Sequence, residues 1–171
     1  MDANELRALQ APLKEQYKQS PEAALVTLRA RGRLDDAKVA CKVETGRALA
    51  VAGLHPATGG TGAELCSGDL LLEALVACAG VTMKAVATAL EIPLRDATVM
   101  AEGDLDFRGT LGVDRAAPVG FRAIRLAFEL DTDAPQDKLD TLLKLTERYC
   151  VVFQTLNQRP ELSVAATRVA G

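Results

Sequence analysis

Between residues 70 and 90 the only charged side chains are Glu73 and Lys84. Ser67 stands just ahead as a candidate N-cap, so a helix is expected from there to Leu90. The two charges lie eleven residues apart, about three turns, which puts them on one narrow stripe with Gly80 between them. The rest of the helix circumference is apolar, and a helix of that kind is covered on nearly all sides. A single sheet face in one domain of this size rarely covers so much, so a partner subunit is expected to cover the remainder. The run is long enough to span a bilayer but is not uniformly apolar, and it reads as a buried helix of a soluble protein.

The segments around it order themselves by period. Leu6, Leu9, Leu13 and Tyr17 recur at helical spacing, with Pro12 as a candidate bend or break. Ser20-Pro21 closes that segment, so residues 1–20 form a helical extension and 21–171 the main domain. Residues 26–33, 39–44 and 48–52 alternate as short strands separated by turn signals, an antiparallel meander with one wet face. Two longer strands are expected near 97–107 and 121–131, the second with Ile124, Leu126, Phe128 and Leu130 on one face. A helix then begins at Pro135, with Leu139, Leu142, Leu143 and Thr146 as its buried stripe and Cys150 on that stripe if the helix continues. Residues 162–169 read as a closing strand. Segregated runs of strands and helices indicate an α+β fold.

Composition narrows the function. The chain has 171 residues and a formal net charge of −3, and nearly half its residues are hydrophobic. That excludes wholesale disorder and speaks against a nucleic-acid groove. Arg29, Arg31 and Arg33 are the only dense basic group, and their alternation suits one strand face. The first residues are charged with no apolar core segment, so a cytoplasmic protein, with no membrane partner, is expected.

Four cysteines in such a chain direct attention to redox chemistry or metal binding. Cys41, on an alternating strand, reads as core. Cys66 stands in a loop before the helix, with no evident partner. His55, the only histidine, sits beside Pro56 and reads as a turn residue. A zinc site from His55, Cys66, Cys78 and Cys150 ranks last, because no close C-x-x-C pair supports it. Gly59-Gly60-Thr61-Gly62 lacks the lysine and spacing of a phosphate loop. No metal or organic cofactor is expected. Glu147 and Arg148 precede Cys150; should a helix restart at Cys150, its N–H groups and Arg148 would make that thiol the more acidic of the pair.

Two motifs carry a resemblance. Leu70-Leu-Leu-Glu-Ala-Leu-Val-Ala-Cys78-Ala-Gly is similar to the central cysteine helix of the osmotically inducible protein C (OsmC) family, which includes the organic hydroperoxide resistance proteins. Glu147-Arg-Tyr-Cys150-Val-Val-Phe-Gln-Thr-Leu156 resembles that family's second cysteine motif. The matching order covers about residues 26–169. The resemblance implies antiparallel sheets wrapped around two long central helices in an intertwined homodimer, with active sites at the subunit interface. It implies a thiol-dependent peroxidase in which Cys78 attacks the hydroperoxide, Cys150 resolves, and an external thiol resets the pair. Leu71, Leu75, Val81 and Phe153 would line the site and favour an apolar substrate. In the hydroperoxidase branch an arginine from an early strand activates the cysteine, held by a glutamate that follows a proline. By region Arg33 is the favoured arginine. Ser67 and Gly68 stand where that proline and glutamate belong, and Asp69 is the adjacent substitute. The departure supports a second reading, a non-catalytic relative that binds a small apolar ligand or a partner at the dimer interface.

Overall fold

A computed structural model describes residues 2–19, 31–34, 40–44, 49–112 and 114–168, with β1 and β2 described by their backbone alone. Helix α1 (Ala3–Gln19) runs through Pro12 without a break. It opens with a capping box that the sequence reading missed. The Asp2 carboxylate accepts from the Glu5 N–H, and the Glu5 carboxylate accepts from the Asp2 N–H, both at 2.8 Å. Strands β1 (Arg31–Leu34), β2 (Ala40–Glu44) and β3 (Leu49–Gly53) form the expected antiparallel meander. A short β4 (Leu65–Cys66) adds to it in parallel with β3, so the sheet is mixed. The strand expected from residue 26 lies largely outside the described residues, as do Arg29 and the side chain of Cys41.

Helix α2 (Ser67–Ala89) follows directly. Its N-cap is Cys66, not Ser67, and no side chain caps it. The reason is the strand before it. Cys66 pairs with Gly53 and is the last extended residue, so the first helical residue is Ser67 itself, one place earlier than a Ser67 cap would give. Strands β5 (Asp96–Asp104) and β6 (Ala123–Asp131) pair along their full length, with a helical turn α3 (Phe107–Thr110) between them. Ile124, Leu126, Phe128 and Leu130 share the covered face of β6, as the alternation required. Helices α4 (Gln136–Tyr149) and α5 (Val151–Asn157) complete the order.

The core has two parts along α2. Leu75, Ala79, Met83 and Ala87, spaced four apart, are its buried stripe. Met83 and Ala87 pack with Ile92 and Leu142 of α4. Leu75 and Ala79 pack with Cys150 at the junction of α4 and α5. Leu142 and Thr146 are buried as expected, whereas Leu143 is 39 % exposed. On another side of α2, Val81 is 73 % exposed. Residues 162–168 form no strand, and Val164 is 99 % exposed. The closing strand is not formed because a strand needs a neighbour for its backbone groups, and none within the described residues pairs with it.

Candidate active site

Cys78 lies mid-way along α2, one turn after Leu75. Cys150 is the residue at which α4 ends and α5 begins, since its extended backbone breaks the helix for one position. The break keeps its hydrogen bonds: the Cys150 N–H donates to the Thr146 carbonyl, and its carbonyl accepts from the Gln154 N–H, both at 2.9 Å. The two cysteines meet in one apolar cluster with Leu75, Ala79, Val152 and Phe153, walled by Val99 and Ala101 of β5 and Ile124 and Leu126 of β6. Both are free thiols.

Their acidities diverge. Burial opposes ionisation of Cys78, but four donors outweigh it: the Val152 N–H, the Cys150 thiol, the Val151 N–H and the Thr82 hydroxyl. The Cys78 pKa therefore falls below the usual thiol value. All four donors are uncharged. Cys150 moves the other way. Burial raises its pKa, and the neighbouring Cys78 adds to the rise against the N–H groups of Phe153 and Val152. The expected helix restart at Cys150 is present, but the expected acidity is reversed. The new N–H groups of α5 serve Cys78 rather than Cys150 alone, and Arg148 lies outside the pair, with its guanidinium 5.7 Å from the Tyr149 ring centroid.

Asp69 sits exposed in the first turn of α2. Nine residues separate it from Cys78, roughly 13 Å along the helix, so within one chain the two are not neighbours. The side chain of Arg33 lies outside the described residues; its backbone pairs with Lys42. Gly68 packs beside Leu105, Phe121 and the Cys66 sulfur, with no carboxylate at that position. Cys66 is half-buried and lines a cavity with His55, Asp69 and Phe121. His55 is a turn residue as read. Its Nδ1 accepts from the Ala57 N–H at 3.0 Å, and its ring stacks on Phe107 at 4.8 Å. Among the described residues no group of three or more His, Cys, Asp or Glu side chains is placed to hold a metal.

A cavity of about 500 Å³ opens beside the cysteine cluster, lined by Leu71, Leu75, Phe121, Ile124, Leu126 and Phe153 among others. Three of the four expected lining residues are there. Val81 is not, because it lies on another, exposed side of α2. Thr82 and Phe121 were missed. Thr82 is legible in hindsight, since four residues along a helix places its hydroxyl over Cys78.

A sequence profile described as OsmC-like protein matches residues 60–165. The chain belongs to the OsmC-like family. Three solved structures of this fold illustrate the likeness. An OsmC-like protein from Mycoplasma pneumoniae superposes with a TM-score of 0.65 at 16 % identity, covering 78 % of this chain and 89 % of that one. An organic hydroperoxide resistance protein OsmC from Legionella pneumophila gives 0.61 at 20 %, covering 79 % and 92 %. The organic hydroperoxide resistance protein OhrB of Bacillus subtilis gives 0.52 at 19 %, covering 80 % and 94 %. At these identities the likeness concerns the OsmC fold alone. No curated protein matches this OsmC-like chain by sequence.

Proposed function

We propose that this chain is a thiol-dependent peroxidase for organic hydroperoxides, with hydrogen peroxide as a poorer substrate. The observation that carries the reading is the contact between Cys78, whose thiolate is favoured, and Cys150, whose thiol is kept protonated. The Cys78 thiolate attacks one peroxide oxygen. A sulfur–oxygen bond forms, the O–O bond breaks, and Cys78 becomes a sulfenic acid. The departing alkoxide takes the Cys150 proton and leaves as the alcohol. The Cys150 thiolate then attacks the Cys78 sulfur, the S–O bond breaks, the hydroxide takes a proton from solvent and leaves as water, and the disulfide forms. Two equivalents of an external thiol restore the pair. The apolar cavity against Leu75 and Phe153 is where the organic part of the substrate lies.

The functional unit of this proposal is an intertwined homodimer in the cytoplasm, acting in the stress response. The exposed Val81 side of α2 and the apolar segment 162–168, which pairs with no strand among the described residues, support a second copy as the missing cover. Arg33 from an early strand, with Asp69 in place of the family glutamate, remains the proposed charged pair of that assembly. Gly68 favours one competing reading, a ligand-binding relative that uses the same cavity without turnover. Steady-state assays with dithiothreitol separate the two. Peroxidase action gives kcat/KM for cumene hydroperoxide at least about tenfold above that for hydrogen peroxide, the yield of burying a modest apolar group. Absence of thiol-dependent consumption of either peroxide would favour the ligand-binding reading.

A further inference from the structure

The bridge between Cys78 and Cys150 has two sulfurs that a reductant can attack, and a second cavity distinguishes them. It has a volume of about 290 Å³, and Leu143, Thr146, Glu147, Cys150 and Phe153 are among its walls. Cys78 does not line it. Phe153 and Leu126 separate it from the larger apolar cavity, since both line each one. We propose that this second cavity receives the reductant, a small thiol without net negative charge, which attacks the Cys150 sulfur. The inference rests on the peroxidase reading.

Thr146 is the first support. It is 1 % exposed and its hydroxyl has no hydrogen-bond partner. A threonine inside a helix can donate to the carbonyl four residues back, as Thr88, Thr141 and Thr155 do here at 2.8–2.9 Å. Thr146 does not, so a buried polar group on the cavity wall is left for a molecule that enters. Glu147 is the second. It is exposed, makes no salt bridge among the described residues, and sets a negative charge at the cavity mouth. An anionic thiol is repelled there, while a neutral or cationic one is not. Leaving-group chemistry is the third. Attack on Cys150 expels the Cys78 thiolate, the more acidic and therefore faster leaving partner. Cys150 is fully covered in the thiol form, and Leu143, 39 % exposed, is the most exposed apolar residue of the cavity wall, so the entering thiol approaches past it.

The exchange balances. The entering thiolate forms a mixed disulfide with Cys150 and releases the Cys78 thiolate. A second thiolate attacks the entered sulfur, gives the external disulfide, and leaves Cys150 to regain its proton.

The test starts from bridged protein, made with cumene hydroperoxide or with diamide. It is mixed with limiting 2-mercaptoethanol, mercaptoacetate or cysteamine, quenched in acid, alkylated and mapped by mass spectrometry. The expected adduct is on Cys150. In Glu147→Gln the preference for 2-mercaptoethanol over mercaptoacetate should shrink by at least about threefold, the scale of one exposed charge; intrinsic thiol reactivity cancels in that ratio. Thr146→Val should slow all three thiols, and Thr146→Ser should restore them. An adduct on Cys78, or an unchanged charge preference in Glu147→Gln, would overturn the proposal. A bridge that forms with diamide but not hydroperoxide would sink the peroxidase reading while leaving this test intact, and no bridge with either oxidant would end both.

Discussion

Leu142→Ala is expected to destabilise the protein by about 3 kcal/mol, within the range for a fully buried leucine cut back to alanine. Leu142 is 0 % exposed and fastens α4 onto Met83 and Ala87 of α2. Cavity creation there removes contacts on both helices at once. Urea denaturation should give a lower midpoint with an unchanged slope. Leu111→Ala, in an exposed turn between β5 and β6, is the control and should stay within about 0.5 kcal/mol. Equal effects at the two positions would mean that α2 and α4 do not form the core described.

Cys78→Ser should lower hydroperoxide turnover by at least about a thousandfold. A serine hydroxyl is not ionised near neutral pH, and the attacking species is the thiolate. The pH dependence has a definite sign. In the native protein the rate should rise with pH and level off below the range of an ordinary thiol, because the Cys78 thiolate is favoured. Thr82→Val removes one donor, so the same rise should move to higher pH while the plateau persists. A serine variant that retains turnover would remove Cys78 from the chemistry. A Thr82→Val profile that does not move would show that the hydroxyl plays no part in stabilising the thiolate.

The sequence made α2, β5, β6 and α4 legible because each carries a strong period over many residues. The misplaced N-cap shows the limit of local chemistry. Ser67 has the better capping side chain, but pairing of Cys66 with Gly53 decided where the helix begins. The unformed strand at 162–168 has the right alternation but no neighbour among the described residues, and alternation alone does not supply one. The misassigned acidity has the same origin. The sequence places Cys150 at a helix start, which is correct, but not which sulfur the first N–H groups meet. That depends on how α5 lies against α2, a tertiary fact some seventy residues removed from Cys78. Val81 lies outside the cavity formed within one chain; an all-apolar helix does not announce which face turns inward, whereas the four-residue spacing of Leu75, Ala79, Met83 and Ala87 does so once the fold is known. The pairing of Cys78 with Cys150 was proposed from motif order, and the two side chains lie in one apolar cluster.

The most direct measurement treats the reduced protein with one equivalent of cumene hydroperoxide, counts the remaining thiols and maps any bridge by mass spectrometry. Rapid loss of two thiols per chain and a single Cys78–Cys150 disulfide are expected, with Cys41 and Cys66 still reduced. No loss, or slow oxidation spread across all four cysteines, would contradict the peroxidase reading.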